Sequence, residues 1–366
     1  MNNMKPFIPI AKPVVEEEEI QAVGKVLKSC MLAQGQRTMD LENRFSTYIG
    51  TKHAVATSSG TTALITGLEA LGINKGDEVI TTPFTFIATP NSILFHKAKP
   101  VFADIDPETF NIDPEKIRKK ITPRTKALLV VHLYGNPCDM DKIQRICREY
   151  NLLLIEDCAQ ATGAEYRGKK VGTFGDLSVF SFYPTKNMTT GEGGMILTND
   201  DNIAKRARMI INHGQKGKYE HIIIGYNYRM NEMEAALGLA QLKKLDVMNQ
   251  KRIENALFLT KKLSALEWLR TPVITPRSKH VFHQYTVKIE GNKRDEFLGY
   301  LNENGIGAKV YYPRPVYLQP VYQKMGFGKV SCPVTEDICR RVLSLPIHPL
   351  LKKQELEMIV KKIKNF

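Results

Sequence analysis

Between residues 53 and 198 the chain alternates short apolar runs with amphipathic stretches, and this repeat leaves few folds open. The spacing predicts strands at His53–Ala56, Glu78–Thr82, Pro100–Ile105, Lys126–Leu133 and Leu152–Ile155. Between them fall a helix carrying Leu64, Ile65, Leu68 and Leu71, and helices near Ala88–His96, Pro114–Ile121 and Met140–Tyr150. Strand–helix units of this length imply an α/β protein whose largely parallel sheet is covered by helices on both faces. Ligands of such sheets bind beyond the carboxyl ends of the strands, so those ends are where chemistry is to be sought.

Two helices are expected ahead of the repeat. One opens at Pro13 and Glu16–Glu19 with the apolar stripe Ile20, Val23, Val26 and Leu27, and the other runs from about Thr38 to Tyr48. After the repeat come a hairpin strand Met195–Thr198, a helix Asp201–Ile211 and a long helix from Glu232 that extends to about Lys262. From Trp268 a strand (His283–Ile289), a helix (Asp295–Glu303) and a final amphipathic helix describe a smaller α/β domain. The expected division is 1–245, with an N-terminal arm 1–12, and 246–366.

Three features sit at strand ends. Thr57-Ser58-Ser59-Gly60-Thr61-Thr62 joins a strand to a helix N-terminus, where free N–H groups and the helix dipole make an anion cup, although Ser and Thr also cap helices for structural reasons alone. Asp157 follows the apolar run Leu152–Ile155; it reads as a buried carboxylate in need of a cationic partner, or as a helix cap or local salt bridge. In Asp176–Gly194, Leu177, Val179, Ser181 and Tyr183 alternate with Ser178, Phe180 and Phe182 as in a strand, Pro184 ends it, and Lys186 opens a polar, glycine-rich loop. A lysine held there is either an ordinary surface side chain or a partly desolvated amine available for carbonyl chemistry. Cup, aspartate and lysine at one sheet edge match a cofactor with a phosphate, a basic ring nitrogen and an aldehyde, which is pyridoxal 5′-phosphate (PLP).

Other signals are weaker or negative. Six cysteines show no C-x-x-C pair and no histidine cluster beside them, so neither a metal site nor a disulfide framework is indicated. The formal charge of +14 allows a polyanion partner, but basic residues are interleaved with acids and no nucleic-acid motif is present, so anionic small substrates account for it equally. Gly163-x4-Gly168-Lys169 approximates a phosphate loop but continues with Lys170 where Ser or Thr must stand. No apolar run approaches the roughly 18 residues of a membrane span, the N-terminus has no signal-peptide core, and a cytoplasmic location is expected.

The stretches ATSSGTTAL (56–64), TPFTFIAT (82–89), VHLYG (131–135), IEDCAQATGA (155–164), VGTFGDLSVFSFYPTKNMTTGEGGM (171–195) and GYNYRMNEMEAALGLAQL (225–242) together resemble the DegT-type nucleotide-sugar aminotransferases, a branch of the fold type I PLP enzymes. The resemblance spans essentially the whole chain in family order. It implies a large domain with a mostly parallel seven-stranded sheet and a smaller C-terminal domain. It makes Lys186 the Schiff-base lysine, Asp157 the partner of the pyridinium nitrogen and Gln160 the neighbour of the ring hydroxyl. Phe86 would stack on the ring, or be a core phenylalanine; Gly60, Thr61 and Ser181 would hold the phosphate. Asn227 would reach the phosphate of a neighbouring subunit, which implies a homodimer with shared sites. Arg229 would meet the anionic substrate or form a structural salt bridge, and Tyr183, Tyr311 and Tyr317 would approach the sugar. Cys30 stands where many relatives have glycine, and Tyr311 and Tyr317 where many have histidine. The implied reaction moves an amino group from L-glutamate to a nucleotide-linked keto-sugar, with a 4-keto-6-deoxyhexose expected, in surface-polysaccharide or amino-sugar biosynthesis. The alternatives are a PLP-dependent sugar dehydratase of the same family, in which histidine replaces the lysine, and a non-catalytic regulatory or nucleic-acid-binding protein that keeps the fold.

Overall fold

The computed structural model describes residues 7–366. Residues 1–6 of the expected N-terminal arm lie outside the described residues. The larger part is a seven-stranded sheet built from β1 (His53–Thr57), β2 (Glu78–Thr81), β3 (Lys99–Phe102), β4 (Thr125–Val131) and β5 (Leu153–Asp157). A short hairpin, β6 (Glu165–Tyr166) and β7 (Lys169–Lys170), precedes the last two sheet strands, β8 (Leu177–Ser181) and β9 (Gly194–Thr198). The order is β1-β9-β8-β5-β4-β2-β3, and only β9 runs against its neighbours. Both faces are covered by helices, α2 (Gln36–Ile49), α3 (Gly60–Ala70), α4 (Ala88–Phe95), α5 (Pro114–Arg118), α6 (Met140–Tyr150) and α7 (Asp201–Ile210), while α1 (Glu17–Ser29) packs on the long helix Glu232–Leu263. A two-sided cover explains why every residue of β2, β8 and β9 is buried.

Three expectations need correction. The strand that carries Ser181 stops there, two residues early, because the N–H of Phe182 turns to the carbonyl of Gly193 (2.9 Å) and closes the loop that holds Lys186. Tyr183 therefore lies in the loop, not on the strand face of Ser181. The predicted stripe of α1 is only half buried: Val26 is inside, but Ile20 and Leu27 are 59% and 53% exposed. The small domain has three strands, Leu269–Arg270, Tyr285–Ile289 and Val342–Leu345, all antiparallel, where one was foreseen.

The boundary placed at 245/246 falls inside α8 (Glu232–Leu263), a single 32-residue helix. Its first half packs on α1 and α2, while Ala256, Leu259 and Leu263 enter the small-domain core with Val287, Phe297 and Leu343. Residues 273–284 also cross back over the large domain. The N–H of Val281 reaches the carbonyl of Gly135 (3.1 Å) and that of Thr275 reaches Asn136 Oδ1 (3.1 Å). The two parts are thus joined along a seam that passes beneath the loop of Lys186.

Candidate active site

The site is assembled where β1, β2, β4, β5 and β8 end. Ser59 caps α3: its Oγ accepts the N–H of Thr62 (3.1 Å), and Thr62 Oγ1 accepts the N–H of Ser59 in return (3.0 Å). This leaves the N–H groups of Gly60 and Thr61 without an intrahelical partner at the positive end of the helix. Gly60 is required by close approach, since a Cβ there would lie 2.7 Å from Ser181 Cβ. Gly60, Thr61 and Ser181 therefore form one concave rim, suited to a phosphate.

Asp157 ends β5 and is buried. Among the described residues no salt-bridge partner holds it. Thr89 Oγ1, on α4, donates to its Oδ2 (2.8 Å) and the N–H of Ala159 to its Oδ1 (3.1 Å). Burial raises its carboxyl above the ordinary carboxylate range, opposed by those two donors and by the charge of Lys186. Lys186 answers in kind: burial lowers its ammonium from the ordinary lysine value to about 8, and Asp157 opposes the shift. Acid and amine are thus neighbours within one cleft. The next residue, Asn187, anchors the loop by donating to Asn249 Oδ1 (2.7 Å) and to the carbonyl of Val281 (3.0 Å).

Gln160 accepts the N–H of Tyr134 at Oε1 (2.8 Å) and donates from Nε2 to Tyr312 Oη (3.2 Å). Phe86 is 57% exposed while Phe84 is fully buried, so Phe86 is not a core side chain and its face is open to a ring. Tyr311 lies beside Tyr183; burial first, and then that neighbour, raises its hydroxyl. Arg229 is held near the cup by the side chain of Asn212, and among the described residues it has no carboxylate partner. Asn227 is exposed and makes no side-chain hydrogen bond among the described residues.

Tyr317 does not reach the cleft. It is fully buried with Phe102 and Tyr322; its hydroxyl donates to Glu336 Oε1 (2.6 Å) and accepts the N–H of Cys332 (2.9 Å). Thr89, Tyr134 and Tyr312 belong to the site and carry no sequence signal that sets them apart. Behind them His132, Glu156 and Cys158 cluster within 4.8 Å, but the hydrogen bonds of this knot are already made. His132 Nδ1 accepts the N–H of Cys138 (3.0 Å) while Nε2 donates to Glu156 (3.0 Å). Glu156 also accepts the N–H groups of Gly172, Phe174 and Gly175 at 2.8 Å each, which fixes the turn leading into β8.

A cup for a phosphate, a buried acid for a ring nitrogen, an open aromatic face and a low-pKa lysine fit PLP together, and they define a PLP enzyme of fold type I. Residues 13–364 match the DegT/DnrJ/EryC1/StrS aminotransferase family. The chain is 39% identical to a GDP-perosamine synthase of Caulobacter vibrioides over 97% of each protein. It superposes with a TM-score of 0.95 and 37% identity on Streptomyces venezuelae DesV, solved in complex with a ketimine intermediate, covering 99% of this chain and 98% of that one. It also superposes with a TM-score of 0.92 and 32% identity on NtdA of Bacillus subtilis with bound cofactor PMP, covering 100% and 86%. The chain belongs to the DegT/DnrJ/EryC1/StrS aminotransferase family and is a PLP-dependent nucleotide-sugar aminotransferase. No helix among the described residues is long and apolar enough to cross a membrane.

Proposed function

We propose that this enzyme takes the amino group of L-glutamate and places it on a nucleotide-linked 4-keto-6-deoxyhexose, in the cytoplasm, on the way to a surface polysaccharide or another amino sugar. The observation that carries the reading is the meeting of Lys186 and Asp157 in one cleft, each shifted by burial and each opposing the other's shift. PLP bound there supplies a carbonyl for the lysine and a protonated ring that draws electrons from the substrate carbon. Asp157, oriented by Thr89 and Ala159, holds the proton on the ring nitrogen. Lys186 Nζ would remove the proton from the donor's Cα as a general base. Its lowered pKa keeps an appreciable fraction of the amine unprotonated near neutral pH. Gly60, Thr61 and Ser181 bind the phosphate, and Phe86 covers the ring.

The acceptor would lie along Tyr183 and Tyr311, with Arg229 and the overall positive charge favouring its diphosphate. The enzyme would work as a homodimer, Asn227 serving the partner subunit's cup. The exposed Ile20, Leu27, Met31, Ile222 and Ile224 support a second copy of the chain as the cover. An intact Lys186 argues against the dehydratase alternative. The test is the absorption spectrum of the PLP-loaded protein: a visible band that moves to shorter wavelength on adding L-glutamate is expected. Lys186→Ala should lose both the shift and all turnover; turnover retained by that variant would sink the mechanism.

A further inference from the structure

Two hydrogen-bond donors in the cleft lack an acceptor among the described residues. The orientation of the Gln160 amide is fixed, because only its oxygen can receive the N–H of Tyr134 (2.8 Å), so its NH2 group faces the cleft. One N–H of that group goes to Tyr312 Oη (3.2 Å), and the other has no acceptor among the described residues. Tyr312 Oη is used as an acceptor there, and its own proton likewise has no acceptor among the described residues. Gln160 is 7% exposed, so its spare donor is costly to leave unmet.

Tyr312, on a small-domain segment, is held in place by side chains and carbonyls of the large domain. Its ring packs edge-on against Phe84 (centroids 6.2 Å) and tilts towards Phe86 (6.4 Å). The hydroxyl of Tyr134 donates to the carbonyl of Tyr311, and the N–H of Val316 to the carbonyl of Pro83 (3.0 Å), which ties residues 311–316 down over the cleft. The hydroxyl also lies near enough to Asp157 to feel its charge. Two unmet donors, separated by one hydrogen bond and close to the carboxylate assigned to the ring nitrogen, are placed to receive an anionic oxygen carried on the same ring.

We propose that the hydroxyl of Tyr312 is a second donor, beside the Gln160 amide, to the ring oxygen of bound PLP. The inference rests on the proposed function, in which PLP occupies this cleft, with Gln160 as the neighbour of the ring hydroxyl that the family resemblance implies. Its consequence is electronic as well as positional: each donor stabilises the oxygen as an anion and makes it less basic. The small-domain segment 311–316 thereby tunes a cofactor otherwise held by the large domain.

The experiment is a pH titration of the visible band of the PLP-loaded enzyme, wild type against Tyr312→Phe, with cofactor retention on dialysis measured in parallel. Phenylalanine keeps the packing on Phe84 and Phe86 and removes only the donor. The expected results are a midpoint raised by about one pH unit and PLP held roughly tenfold more weakly. With a PLP analogue that lacks the ring hydroxyl, wild type and variant should bind equally. A midpoint unchanged in Tyr312→Phe overturns the proposal, as does an equal loss of affinity for PLP and the analogue, which would mark a packing role. Should Tyr312→Phe not fold, Tyr312→Met removes the same donor and is read in the same way. No visible band in the wild type would overturn this inference and the proposed function together, whereas a normal wild-type band with an unmoved variant removes this inference alone.

Discussion

At the scale of single residues the site depends on two groups whose burial works against their charge. A lysine amine exposed to water is protonated almost completely at neutral pH, and a nucleophile needs the lone pair. Burial brings Lys186 down to about 8, and the carboxylate of Asp157 keeps it from falling further. The rate at which the cofactor-free protein captures PLP should therefore rise from pH 7 and level off above about pH 9, with a midpoint near 8. Asp157→Asn removes the charge that stabilises the ammonium, so its midpoint should move lower. Stopped-flow growth of the visible band checks both, and a rate still climbing steeply past pH 10 would show that Lys186 titrates as a surface side chain.

At the scale of elements, strand and helix ends are set by short polar networks, and one of them can be tested apart from catalysis. Glu232, 2% exposed at the start of α8, accepts the N–H groups of Gly35 (3.0 Å), Arg37 (2.9 Å) and Thr38 (2.9 Å) and the hydroxyl of Thr38 (3.0 Å). Burial alone would raise its carboxyl, but these donors hold it below the ordinary range. Glu232→Gln turns an acceptor oxygen into a donor facing N–H groups, and should cost about 2–3 kcal/mol in urea unfolding. A loss below about 0.5 kcal/mol would show that the loop 30–38 is held otherwise. The elements themselves were legible in the sequence where period and punctuation agreed: α6 was expected at its observed bounds, and β2 and β9 within a residue. The placement of Asp157 at a strand end and of Lys186 in the loop beyond one was legible because each follows an apolar run that must be a buried strand. The partners of Asp157 and Gln160 were not, since Thr89 and Tyr312 lie 68 and 152 positions away and only the tertiary fold brings them there. Tyr317 was misplaced for the same reason: in a proline-rich segment no periodicity tells which side chains turn inward, and this one turns to Glu336.

At the scale of the whole molecule, the question is whether one chain contains a complete site. Asn227 lies between Tyr226 and Tyr228, whose rings stack at 4.9 Å, and the carbonyl of Tyr228 receives the N–H of Ser58 in the cup (2.8 Å). The strand-like alternation turns the two tyrosines towards their own subunit and leaves Asn227 exposed beside the cup. The apolar side chains exposed on α1 and on the segment 219–224 would be covered in a two-fold dimer, whose interface uses the same surface of both copies. If Asn227 completes the partner's cup, Lys186 and Asn227 of one chain serve different sites. Mixing inactive Lys186→Ala chains with impaired Asn227→Ala chains then creates dimers in which one site carries both lesions and the other carries neither. Random exchange makes about half of the dimers mixed, each with one intact site, so roughly a quarter of wild-type activity should return. If Asn227 instead serves its own subunit, every site in the mixture still carries one lesion, and activity stays at the average of the two parents. Refolding or slow subunit exchange of differently tagged chains, followed by assay of the doubly tagged fraction, separates the two outcomes.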